Sequence, residues 1–193
     1  ESQLLGESDG ILVPAYNWRK IDHATLAYGY GLSVTPLQLA RAYAVLGNHG
    51  RSVSVQVVPR ETPAAQEQLL RPEVADSVVK MLESVVTREG TGYRAAVENY
   101  RIAGKTGTAH MFHNGGYDKE RYVTTFAGLA PASAPRLALV VTIHDPKGEA
   151  YYAGDVAAPV FSRVMGRALR LLKIPPDGNL VPTQLTEPTG VAT

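Results

Sequence analysis

Three stretches in the middle of the chain leave few choices of fold. Residues 101–109 read Arg-Ile-Ala-Gly-Lys-Thr-Gly-Thr-Ala. Residues 122–129 mix aromatic and β-branched side chains, and residues 136–144 form a nearly continuous apolar run. The last is the pattern of a strand buried on both faces. With a polar, glycine-bearing loop at 110–121 and a turn at 131–135, the three predict successive antiparallel strands. Such a sheet needs cover. An amphipathic stretch over 155–172 follows, with Val160, Phe161, Val164, Met165, Ala168, Leu171 and Leu172 on a wide face and Arg163, Arg167, Arg170 and Lys173 opposite. A helix there should pack on one face of the sheet.

Upstream, the pattern is helical with breaks. Residues 1–20 have no sustained period; a loop with one short strand is expected, with Trp18 as a packing anchor. Tyr28-Gly29-Tyr30-Gly31 is turn-like. Thr35 and Pro36 then suit an N-cap and first helical position. Residues 37–46 are apolar on nearly every face, which predicts a buried helix ended by Gly47-Asn48-His49-Gly50. Val53, Val55 and Val57 alternate, as in a short strand. Residues 61–72 read as a connection. A second helix is expected over 73–87, with Val74, Val78, Met81, Leu82 and Val85 as its stripe, closed by Gly90 and Gly92. Residues 174–193 are rich in Pro and Thr and predict an extended or disordered tail.

With 193 residues the chain can hold one domain with a real core. A net charge of +1 gives no reason to expect a nucleic-acid partner. No apolar run is long enough to span a membrane. The absence of cysteine excludes disulfides and thiolate catalysis. Nothing in the residues calls for a metal or cofactor: His110 and His113 have His-x-x-His spacing but lack an acidic residue placed as a base and a clear third ligand, so a solvated loop is expected there.

The chemistry concentrates in residues 104–108. On a strand, Thr106 and Thr108 share one face. Lys105 can meet an anion, and Gly107 leaves room for a ligand or another backbone. Such a strand edge could grip a carboxylate while its N–H groups face a reacting carbonyl. Gly104-Lys105-Thr106 also resembles the end of a phosphate-binding P-loop, but that motif needs a glycine where Asn99 stands, and a helix next. The other reading is the Lys-Thr-Gly element of penicillin-binding proteins and serine β-lactamases. Ser77-Val78-Val79-Lys80 fits the Ser-x-x-Lys nucleophile motif of that class. At roughly 100° per residue, however, Lys80 points nearly opposite the apolar stripe. An outward lysine stays protonated and cannot activate a serine, so the match is read as chance.

The surroundings decide between these readings. The stretch from Tyr28 to Arg41, the run Tyr100 to Ala109, Phe126-Ala127-Gly128-Leu129-Ala130-Pro131-Ala132 and Ala158-Pro159-Val160-Phe161 fall in the order of a penicillin-binding transpeptidase domain. Over roughly residues 4–178 the chain resembles the C-terminal half of the division-specific class B enzymes, the penicillin-binding protein 3 type. The resemblance implies an α+β, penicillin-binding fold whose antiparallel sheet, here its last three strands, is covered by helices. It implies a D,D-transpeptidase that cross-links peptidoglycan at the septum through an acyl-serine, with a stem peptide ending in D-Ala-D-Ala as donor and β-lactams as mimics. Lys105 and Thr106 would face the cleft. Thr106 and Thr108 would hold the donor's carboxylate, Lys105 and Gly107 would line the same substrate site with Lys105 also catalytic, and the Thr108 N–H would supply half of the oxyanion hole. Tyr122, Tyr151 and Tyr152 match an aromatic wall. The resemblance also implies an inner-membrane anchor facing the periplasm and partners in the division machinery.

The departures from the family pattern define a second expectation. No Ser-x-Asn occurs anywhere, and Ser77–Lys80 lies where the family has no nucleophile. The serine, its lysine and two further strands should therefore come from an upstream half of the same protein. Residues 1–173 would then be the C-terminal part of a domain, inactive and unfolded alone. Two relatives of the same fold are alternatives: a non-catalytic or penicillin-sensing module, and a serine β-lactamase. The Tyr28–Arg41 signature speaks against the last.

Overall fold

The computed structural model describes residues 6–58, 64–113, 116–148 and 150–178. In chain order the elements are β1 (Ile11–Leu12), α1 (Lys20–Leu26), β2 (Leu32–Ser33), α2 (Pro36–Gly47), α3 (Pro72–Glu83), β3 (Ala103–His113), β4 (Gly116–Ala130), β5 (Leu137–His144) and α4 (Ala153–Leu171). The expected three strands are present and antiparallel, in the order β3-β4-β5, with Thr106 opposite Phe126 and Phe126 opposite Val141. β1 and β2 form a separate two-stranded ribbon.

Helices cover both faces of the sheet. On one, α4 presents Ala157, Ala158, Phe161, Met165 and Leu169 to Phe126 and Ala130, with Leu137, Leu139 and Val141 packed alongside. The Phe126 and Phe161 rings meet at 4.7 Å between centroids. Each fully buried side chain of this size contributes about 1.5–3 kcal/mol of transfer free energy. On the other face, Val79 of α3 packs with Ala103, Leu129 and Ala132, and Tyr43 and Leu46 of α2 close the edge of that cluster. The mixed α/β architecture agrees with the sequence reading.

The start of α2 is as the sequence predicts. Thr35 Oγ1 accepts from the Gln38 N–H at 3.1 Å, the Gln38 side chain accepts from the Thr35 N–H at 2.8 Å, and Pro36 opens the helix. Gly50 ends the turn after it with φ +79°. The Trp18 indole N–H donates to the Val13 carbonyl, and the ring meets His23 edge-on at 5.1 Å, which suits an anchor.

Five local expectations are corrected. The loop expected over 110–121 is largely strand: β3 runs to His113 and β4 begins at Gly116. Beyond the core a two-stranded ribbon can expose both faces to water, so polar residues there do not end it. Among the described residues, 51–58 hold no strand, only a single bridge between Arg51 and Gln68. The alternating valines have no partner strand, and Val57 and Val58 are exposed. α2 is covered on one side, so only Val45 within it is buried. α3 buries Ala75 and Val79 rather than Val74 and Met81, and Met81 is 68% exposed. In α4 the inner stripe uses small residues, Ala153, Ala157 and Gly166, while Val164 and Leu171 face out. A pattern search weighted toward large side chains rotates such a helix slightly.

Residues 174–178 carry no helix or strand yet fold back on the sheet. Tyr100 donates its hydroxyl to the Ile174 carbonyl at 2.6 Å. The Asp177 carboxylate accepts from the Arg101 N–H at 2.8 Å and the Ser133 N–H at 3.0 Å. Thus one side chain ties the entry of β3 to the turn between β4 and β5. The rest of the expected tail, 179–193, lies outside the described residues.

Candidate active site

Gly104 leaves room for the Phe126 ring of β4: a Cβ there would sit 2.7 Å from it. That contact sets the strand just before the candidate residues. From it, Lys105 and Gly107 project from one face and Thr106 and Thr108 from the other, by the two-residue period of a strand. Among the described residues β3 has β4 on one side and no strand on the other. A strand with one free side turns alternate backbone groups away from its neighbour.

The exposed Lys105 reaches back over that edge. Its Nζ donates to the Thr106 carbonyl at 2.9 Å and lies 3.3 Å from Thr106 Oγ1. Thr106 Oγ1 in turn lies 2.9 Å from Thr91 Oγ1. Two residues on, Thr108 Oγ1 accepts the N–H of Ala153, the first residue of α4, at 3.0 Å. A Cβ on Gly107 would meet nothing nearer than the Thr125 carbonyl at 3.9 Å, so the space beside it is open. One ammonium, two hydroxyls and the N-terminal end of a long helix thus share one edge. All three favour an anion.

The three tyrosines also assemble. The Tyr122 and Tyr151 rings stack at 4.4 Å with 18° between planes, and Tyr151 and Tyr152 lie 4.4 Å apart. The Tyr151 hydroxyl donates to that of Tyr152 at 3.1 Å. This bond raises the Tyr151 pKa above the usual tyrosine value, because ionisation would lose it and set a charge beside Tyr152. Tyr152 is exposed.

Residues outside the sequence-based set join the site. Thr91 is one; its only sequence signal is a hydroxyl between two glycines, Gly90 and Gly92. His110 is another, and it corrects the solvated-loop expectation. It is half-buried opposite Tyr122, with ring centroids 4.7 Å apart, and its Nδ1 lies 3.0 Å from the Asp118 carbonyl. A carbonyl only accepts, so Nδ1 carries the proton and Nε2 is left as an acceptor in the neutral ring. The side chain of His113 lies outside the described residues. Thr124, opposite Thr108 and fully buried, has a hydroxyl with no partner among the described residues.

Ser77 and Lys80 stand apart from this row. Ser77 Oγ donates to the Glu73 carbonyl one turn back, at 2.6 Å. Lys80 is exposed and lines a cavity of about 310 Å³ with His49, Asp76, Glu83 and Arg101. None of residues 104–108 lines that cavity.

A three-stranded sheet between α4 and the α2–α3 pair, with Lys-Thr-Gly-Thr on its edge, defines the class. The chain belongs to the penicillin-binding protein transpeptidase domain family, whose model matches residues 1–166. Among curated proteins it is 44% identical over 174 residues to the peptidoglycan D,D-transpeptidase FtsI of Escherichia coli K12, covering 90% of this chain and 30% of that protein. It is 39% identical over 171 residues to the probable peptidoglycan D,D-transpeptidase PenA of Neisseria flavescens, covering 89% of this chain and 43% of that one. The chain thus spans between about a third and under half of these relatives. Among solved structures, the transpeptidase domain of Burkholderia pseudomallei penicillin-binding protein 3 superposes with a TM-score of 0.84 at 40% identity, over 92% of this chain and 54% of that one.

Proposed function

We propose that the chain is the C-terminal part of a serine D,D-transpeptidase that cross-links peptidoglycan at the division septum. The observation that carries this reading is the edge of β3, where Lys105, Thr106 and Thr108 lie together beside the start of α4. A stem peptide's terminal carboxylate fits that edge. Thr106 and Thr108 donate to it, Lys105 supplies the charge, and Gly107 leaves the space.

The nucleophile then comes from an upstream segment of the same protein. Its serine Oγ attacks the carbonyl carbon of the penultimate D-Ala. The C–N bond breaks, the terminal D-Ala leaves as an amine carrying the serine's proton, and an acyl-serine remains. An amine of a neighbouring strand attacks the ester and releases the serine. During both steps the Thr108 N–H, with the serine's own, holds the carbonyl oxygen as charge develops on it. Tyr122, Tyr151 and Tyr152 line the donor's side of the cleft. β-Lactams follow the first step and stop there.

The same reading gives residues 1–173 the role of a domain part. The upstream half covers apolar side chains that stand open here, among them Ile11 and Tyr16, 68% and 86% exposed. It also places the protein at the inner membrane, facing the periplasm, among division proteins.

The test is labelling with a fluorescent penicillin followed by a denaturing gel. The longer protein bearing this chain should label on a serine outside residues 1–193, and this chain alone should stay dark. Label on the isolated chain would overturn the assignment.

A further inference from the structure

We propose that Thr91 is a positioning residue of this site: it commits the Thr106 hydroxyl to donating toward a carboxylate. The proposal rests on the transpeptidase reading above and names how that site reads its ligand.

A threonine hydroxyl has one proton and two lone pairs. An ammonium has no lone pair, so Lys105 Nζ can only donate into Thr106 Oγ1, 3.3 Å away, and occupies one lone pair. Thr91 Oγ1 lies 2.9 Å away, and at that distance either hydroxyl can donate; the proposal assigns the proton of this bond to Thr91, which fills the second lone pair. With both filled, the single proton of Thr106 has one use left, a ligand acceptor. Without Thr91, water competes for that lone pair and the proton is free to turn. Thr108 is biased the same way, since the Ala153 N–H already takes one of its lone pairs.

The position of Thr91 is itself fixed. The Gly92 N–H donates to the Val85 carbonyl at 2.9 Å, and the Gly90 N–H to the Thr87 carbonyl at 3.0 Å. A Cβ on Gly154, the second residue of α4, would run into the Thr91 carbonyl, so helix and loop touch backbone to backbone. A Cβ on Gly92 would meet the Phe126 ring at 2.7 Å. The start of α4 therefore references both hydroxyls, Thr108 directly and Thr106 through Thr91. The chemical class read out is a carboxylate.

The experiment uses the longer protein with its upstream segment and two probes, benzylpenicillin and its methyl ester, which lacks the carboxylate charge. Second-order acylation rates are measured for wild type, Thr91→Val and Thr91→Ser, with thermal melts. Thr91→Val should acylate about 3- to 10-fold more slowly with the acid, the size of one neutral hydrogen bond, and at the wild-type rate with the ester. Thr91→Ser should keep the wild-type preference for the acid. Equal losses with acid and ester, an unchanged rate with the acid, or a serine variant as slow as the valine one would each overturn the proposal while leaving the transpeptidase reading intact. A wild-type protein that reacts with neither probe would overturn the reading and this inference together.

Discussion

Thr108 Oγ1 accepts the N–H of Ala153 at 3.0 Å, so a strand hydroxyl caps a helix that begins 45 residues later. Tyr152, in the N-cap position of α4, makes no side-chain cap of its own. Thr108→Val should therefore lose a cap and, on the proposed function, a carboxylate donor. Calorimetry should show about 1 kcal/mol of lost stability, and penicillin acylation should slow. Thr108→Ser should restore both.

Thr124 offers the opposite case. Its hydroxyl is buried without a partner among the described residues, and a buried unmade hydrogen bond costs about 1–3 kcal/mol. Thr124→Val keeps the shape and removes the cost. Denaturant titration should find the valine protein as stable or more stable, by up to about 1 kcal/mol. A clear loss of stability would show that the hydroxyl has a partner.

The closeness of Gly154 to Thr91 is also testable. An added methyl cannot fit beside the Thr91 carbonyl, so Gly154→Ala must push loop and helix apart. Overpacking of this kind typically costs about 1–3 kcal/mol. The melting temperature should fall and acylation should slow more than in Thr91→Val, because Thr108 loses its alignment as well.

Ser77→Ala and Lys80→Met should leave acylation unchanged. Ser77 is bonded to its own helix and Lys80 faces solvent by the cavity under α3. Loss of acylation in a folded Lys80→Met protein would return the nucleophile to this chain.

The tyrosine ladder should have an alkaline signature. The Tyr151 pKa is raised, first by its hydrogen bond to Tyr152. A raised folded-state pKa means the contribution to stability is complete below the unfolded value, about 10, and is lost as pH rises through the folded one. Ultraviolet titration should find Tyr151 ionising late, alongside Tyr43, which burial also raises. Tyr152→Phe should bring Tyr151 back toward the usual range.

Much of this was legible in the sequence because strands and helix caps are local. The three strands, the Thr35 cap and the long final helix followed from periodicity and a few residue types. The face of α4 was shifted because its inner contacts are made by alanine and glycine, which carry little weight in an apolar pattern. Lys105, Thr106 and Thr108 could be placed on one strand from spacing alone. Thr91 and His110 could not be placed with them. Both depend on contacts between segments distant in sequence or on a hairpin longer than its polar residues suggested.

The Asp177 carboxylate, holding Arg101 and Ser133 together from beyond α4, bears on where the gene can be shortened. A version of the longer protein ending at Lys173 would retain every helix and strand among the described residues. It would still lose the clasp at the root of the Lys-Thr-Gly strand. A protein trimmed there should be expressed and look folded by circular dichroism, yet be cleaved faster by protease near residue 101. Ending it at Gly178 should restore resistance.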